Sequence, residues 1–70
     1  SEDRMSVGDS VKLKNTLYNN LKYLERYHGR KGIIINTQYD RSGRLFVRVV
    51  FENTSFYEDL LANRLEVITK

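Results

Sequence analysis

Between Gly8 and Lys14 the chain reads GDSVKLK, with Val11 and Leu13 alternating with Lys12 and Lys14. This period of two marks a strand with one face in a core and one in water, and Gly8–Asp9 supply the turn before it. The next regular run is KGIIINTQY, residues 31–39. Strict alternation there places Ile33, Ile35 and Thr37 on one face and Ile34, Asn36 and Gln38 on the other. Residues 45–52, LFVRVVFE, alternate more cleanly, with Leu45, Val47, Val49 and Phe51 opposed to Phe46, Arg48 and Val50. The linker DRSGR offers Gly43 for a positive φ, so the two runs make a hairpin. After ENTS, SFYED (55–59) reads as a short fourth strand. Asp59 is placed to cap one helical turn over Leu60 to Asn63, and Leu65 and Val67 flank Glu66 in a last strand.

Residues 15–28, NTLYNNLKYLERYH, break the alternation. Leu17, Leu21 and Leu24 fall at helical spacing and Gly29 is available as a C-cap, but the Asn and Tyr residues are poor helix formers. A long connecting loop with one or two helical turns is expected, its leucines and tyrosines lying over the open end of the core. The chain is therefore mainly β: five short strands, a long first loop and a one-turn 3-10 helix before the last strand. Short antiparallel strands expose costly edges when the sheet stays open. A small, nearly closed barrel solves that problem, and this order of elements is that of a five-stranded SH3-like barrel. Residues 1–6 read as a disordered lead-in or an expression remnant, and residues 7–70 as one domain.

Composition narrows the chemistry. Seventy residues make one thin-cored domain burying roughly 60% of its unfolded surface. The chain has no Cys and a single His, His28, which argues against disulfides and a structural zinc. No apolar run approaches the ~20 residues of a membrane-crossing helix; a soluble, cytoplasmic, monomeric protein without cofactor is expected. Net charge is +3, unevenly spread. Residues 12–48 hold nine Lys or Arg against Glu25 and Asp40, whereas residues 49–70 hold four acids against Arg64 and Lys70. A basic body of this kind suits a polyanion partner.

No catalytic pattern is present. Glu58 and Asp59 are adjacent and would point to opposite faces of a strand, a poor acid/base pair, and GRKG lacks the length and hydroxyl residue of a P-loop. The densest positive charge instead lies in RYHGRKG, residues 26–32, directly before the isoleucines. Gly29 and Gly32 bracket Arg30 and Lys31. Such glycines let backbone N–H groups approach a ligand while the cations neutralise phosphates. The bland alternative is that the glycines only shape the turn and that His28 packs there. Arg41 and Arg44 straddle the hairpin tip. Arg48, between Phe46 and Val50, gives an aromatic–basic–aliphatic strip of the kind that stacks on and neutralises single strands.

The segments VGDSVKLK, YHGRKGIIINT, FVRVVFEN and LEVI together resemble the KOW-type group of SH3-like barrels, in which a polar loop leads into a glycine and a strand of branched residues. RYHGRKGIII is similar in its loop to the L21e-type ribosomal protein family. The resemblance implies RNA binding in a ribosome or transcription complex through His28, Gly29, Arg30, Lys31 and Gly32; Arg26, Arg41, Arg44 and Arg48 join them on charge alone. The chain lacks the strongly basic balance of that family, so a phage or plasmid regulatory complex is an equal setting. The expected function is a non-enzymatic, small nucleic-acid-binding module with backbone-dominated contacts. The alternative is a protein-interaction adaptor docking on a larger complex through residues 15–28 and their tyrosines.

Overall fold

The computed structural model describes residues 5–14 and 22–68. Five strands, β1 (Ser10–Leu13), β2 (Gly32–Tyr39), β3 (Leu45–Phe51), β4 (Tyr57–Leu61) and β5 (Leu65–Val67), form one antiparallel sheet in the order β4-β3-β2-β1-β5. The loop before β2 holds a 3-10 segment, Lys22–Tyr27, and a second 3-10 turn, Ala62–Arg64, precedes β5. Element order and the short turn before the last strand are those expected. The expected cap differs. Asp59 lies inside β4, and the second 3-10 turn follows Leu61 with no side-chain cap. A cross-strand arginine claims the Asp59 carboxylate instead, as described below.

The sheet is strongly curled but not closed. In a flat sheet β4 and β5 would lie about 19 Å apart, four strand spacings of ~4.8 Å. Leu61 and Leu65 are separated only by the 3-10 turn, a reach of at most ~14 Å for four residues. The two outer strands must therefore bend toward each other. No ladder joins β4 to β5 among the described residues, so the expected mainly β, five-stranded class holds, and where a nearly closed barrel was expected the sheet is open and curled, its edges meeting at the 3-10 turn.

One core fills the concave side. The inward set of β3, Leu45, Val47, Val49 and Phe51, is buried throughout, as its alternation requires. Val11, Leu13, Ile34, Leu60 and Leu65 join it from the other strands, and Leu24 and Tyr27 from the first 3-10 segment. Leu24 and Tyr27 thus cover the core as expected of that loop; Leu17 and Leu21 lie outside the described residues. Met5 also packs in this core, and the Ser6 N–H donates to Asp9 Oδ2 at 2.9 Å, so packing starts before residue 7. Tyr27 stacks on Phe51 with centroids 4.4 Å apart and donates its hydroxyl to Glu58 Oε2 at 2.7 Å. That contact ties the loop to the inward side of edge strand β4. An inward carboxylate on an edge also disfavours pairing with a further strand.

β2 departs from strict alternation. Ile34 pairs with Val49 and Asn36 with Arg48, which leaves Ile35 as an extra residue. The β-bulge resets the phase: Ile34 and Thr37 share the inward side, whereas Ile33, Asn36 and Gln38 stand opposite the outward residues Val50, Arg48 and Phe46. The expected grouping of Ile33, Ile35 and Thr37 on one face is therefore corrected. Ile33 and Ile35 are exposed.

Candidate nucleic-acid interface

The loop 26–32 is built by backbone geometry. The Arg30 N–H donates to the Tyr27 carbonyl at 2.9 Å and the His28 N–H to the Glu25 carbonyl at 3.1 Å, closing the 3-10 segment. Gly29 follows with φ +80°, the left-handed position that ends such a segment. Its Cα faces open space. Gly32 differs. A Cβ there would run into Val49 Cγ1 and come within 3.1 Å of Phe51 Cδ1, so this glycine is needed for close packing on β3 rather than for ligand approach. The Lys31 carbonyl accepts from the Glu52 N–H at 2.9 Å, and the Lys31 N–H is 3.4 Å from Glu52 Oε1. Arg30 Nη1 reaches the Glu52 carbonyl at 3.4 Å. Of the loop cations, Lys31 and Arg26 carry exposed side chains, and the Arg26 guanidinium lies 5.9 Å from the Tyr27 ring centroid.

The hairpin tip is organised by Asp40. Its Oδ1 accepts from the Ser42 N–H (2.9 Å), the Ser42 hydroxyl (2.8 Å) and the Arg44 N–H (2.9 Å), while Oδ2 accepts from Arg44 Nε at 3.1 Å. These donors, the Arg44 N–H foremost, pull the Asp40 carboxyl down to about 2. Gly43 takes φ +87°, as the DRSGR turn requires. Arg44 is thereby engaged by an acid, and its guanidinium lies 5.9 Å from the Phe46 centroid. Arg41 is exposed at the tip and makes no hydrogen bond or ion pair among the described residues.

Arg48 stands mid-sheet on the outward face. Cross-strand register places it opposite Asp59. Nε and Nη2 fork onto Asp59 Oδ1 and Oδ2 at 2.8 and 3.1 Å, and the guanidinium lies 3.9 Å from the Tyr57 ring centroid. The hydrogen bonds to Asp59 raise the Arg48 pKa and lower that of Asp59, so both stay ionised over the ordinary pH range.

The sequence-derived residues do not converge on one spot. Arg26 to Lys31 precede β2 and Gly32 opens it, whereas Arg41 and Arg44 follow it. The seven steps of that eight-residue strand span ~23 Å at ~3.3 Å each. Arg48 lies between the two ends. What the sheet brings together instead is an outward track of three cross-strand rows: Ile33–Val50–Tyr57, Asn36–Arg48–Asp59 and Gln38–Phe46–Leu61. Asn36, Gln38, Tyr57 and Asp59 were not among the candidates. The alternation of residues 45–51 with a fourth strand after one turn hints at an Arg48–Asp59 pairing, but the bulge hides Asn36 and Gln38. A hollow of about 330 Å³ opens between the second and third rows, lined by Asn36, Gln38, Phe46, Arg48 and Asp59 among others. Another, of about 320 Å³, lies beside Lys31, Ile33 and Val50.

No helix among the described residues is long and apolar enough to cross a membrane. No family model, curated protein or solved structure matches the chain.

Proposed function

We propose that the chain is a small module that binds single-stranded nucleic acid, RNA or DNA, along the outward face of β2, β3 and β4, within a transcription, translation or phage or plasmid regulatory complex. The observation that carries this reading is the track itself. Phe46 and Tyr57 lie on it with arginines against their rings, Asn36 and Gln38 offer amides beside them, and exposed Lys31 and Arg41 stand beyond its two ends. Aromatic side chains give bases a stacking surface, amides reach base edges, and cations at the ends neutralise phosphates. Because Arg44 and Arg48 are already paired with acids, the electrostatic contribution falls mainly to Lys31 and Arg41, with Arg26 and Arg30 beside the first. The contacts are then fewer and the salt dependence milder than a compact cationic corner would give.

The test is fluorescence anisotropy with labelled single-stranded oligonucleotides at two salt concentrations. Affinity should fall with salt with a slope of about 0.7 per phosphate neutralised. Lys31→Ala and Arg41→Ala should each lower that slope by about one contact for every sequence alike. Absence of binding at low salt overturns the reading.

A protein-docking adaptor without nucleic-acid contact is the second reading, and one observation favours it. Ile33, Val50 and Tyr57 form an outward apolar row, and Phe56 is 74% exposed. Exposed apolar surface of this kind marks interaction sites. Of the loop tyrosines expected to carry that reading, Tyr27 is buried, and Tyr18 lies outside the described residues.

A further inference from the structure

We infer that Arg48 reads guanine: its free edge takes the O6 and N7 acceptors of one base lying on the outward face beside the hollow that Phe46 and the Asn36–Arg48–Asp59 row line. The inference rests on the nucleic-acid reading above and adds a base preference to it. A guanidinium has five N–H donors in a fixed planar fork. In Arg48 the Nε–Nη2 edge is taken by Asp59, and Tyr57 supports one face. Both the position and the plane of the group are therefore set before any ligand arrives. The other edge, formed by Nη1 and the outer hydrogen of Nη2, makes no hydrogen bond among the described residues. It presents two parallel donors and calls for two adjacent acceptors.

Phosphate and guanine both offer such a pair. Three features favour the base. The charge of Arg48 is already cancelled by Asp59 at hydrogen-bond distance, so an anion would gain little attraction there and would meet the carboxylate. A neutral base needs only the hydrogen bonds. The hollow is also lined by the ring of Phe46 and by the Asn36 and Gln38 amides, which suit a flat heterocycle. Its volume of about 330 Å³ is enough to admit one base.

The experiment is an anisotropy titration with short all-thymine strands carrying one central guanine, inosine, adenine or 7-deazaguanine. All four have the same phosphates. Inosine keeps O6 and N7, 7-deazaguanine loses N7, and adenine replaces O6 with a donor. The guanine and inosine strands should bind about tenfold tighter than the other two. Arg48→Met, which has no donor to offer, should bind all four alike and more weakly, because Asp59 is left unpaired. Equal affinity for the four strands in the unaltered protein overturns the guanine assignment and leaves the nucleic-acid reading standing. Binding of none overturns both. A guanine preference that survives in Arg48→Met also overturns it, because another residue is then the reader.

Discussion

The guanidinium of Arg48 lies 3.9 Å from the ring centroid of Tyr57, one strand away and one row along the sheet. With the fork onto Asp59, this contact turns a long flexible cation into a fixed planar group in the middle of the outward face. The same fork removes its net charge from that face. A count of basic residues treats Arg48 as a free cation, but the fold makes it half of a neutral pair. On the proposed function, affinity and base selection would fall to different residues: Lys31 and Arg41 at the ends would attract the polyanion, and Arg48 in the middle would discriminate.

Asp59→Asn separates the two roles. The amide cannot cancel the arginine's charge, so Arg48 becomes available to a phosphate. General affinity for all-thymine strands should rise, and the salt slope should steepen by about 0.7, one single-strand phosphate contact. The guanine preference should shrink at the same time, because the guanidinium is no longer held in place. Paired titrations at two salt concentrations check this. An unchanged slope with intact preference would mean that Asp59 is not what restrains Arg48.

The two loop glycines should fail for different reasons. Gly32→Ala drives a Cβ into Val49 and should destabilise by about 1–3 kcal/mol through overpacking. Trimming Val49 to Ala in the same chain should recover part of that loss, so the double variant is more stable than the sum of the two singles predicts. Gly29→Ala meets no neighbour but must hold φ +80°, which costs about 1–2 kcal/mol. Val49→Ala should do nothing for it. Urea unfolding of the six chains, the unaltered protein, the three singles and the two doubles, measures each difference.

The residues that read most plainly from sequence were those whose environment is repeated every second position. Leu45 to Phe51 alternate without a break, so their inward set and the hairpin they form were legible. The three consecutive isoleucines were not. An apolar side chain at every position carries no phase, so nothing in IIIN announces that Ile35 is extra and that Asn36 turns outward beside Arg48. Gly32 was legible as a glycine that matters but not as one pressed on Val49, because that neighbour comes from a different strand. The cations of 26–32 and 41–44 are close in sequence, yet the eight-residue strand between them holds them apart. Met5 preceded any pattern, and only the core beneath it shows why it belongs to the fold.

Tyr27 joins the first 3-10 segment to both core and edge strand. Tyr27→Phe keeps the stack on Phe51 and loses only the hydrogen bond to Glu58, a loss of about 1 kcal/mol. Tyr27→Ala also opens a cavity over Phe51 and should cost about 3–5 kcal/mol. The Glu58 hydrogen bond, with burial, raises the Tyr27 pKa above its ordinary value of 10. A raised folded-state value means that this stabilisation is complete below pH 10 and is lost as pH climbs through the folded pKa. Unfolding midpoints followed from pH 9 upward should therefore fall more steeply in the unaltered protein than in Tyr27→Phe. Parallel curves would show that Tyr27 titrates as it does in the unfolded chain.

The hairpin tip gives an acid-side counterpart. Asp40 accepts four hydrogen bonds within its own turn, and its carboxyl titrates at about 2 instead of 3.8. A depressed folded-state pKa means that the stabilisation is fully present above 3.8, the unfolded value, and disappears as pH falls through about 2. Asp40→Ala should thus be less stable than the unaltered protein at neutral pH, and the gap should narrow between about pH 4 and pH 2. Asp59, also depressed, is present in both chains and drops out of the difference. Asp40→Asn retains one acceptor oxygen for the turn but no charge, so its stability should lie between the two at pH 7. Urea midpoints across this range decide the matter. A gap that does not change with pH would mean that the charge of the Asp40 carboxylate adds nothing and that its hydrogen bonds hold equally well when it is protonated.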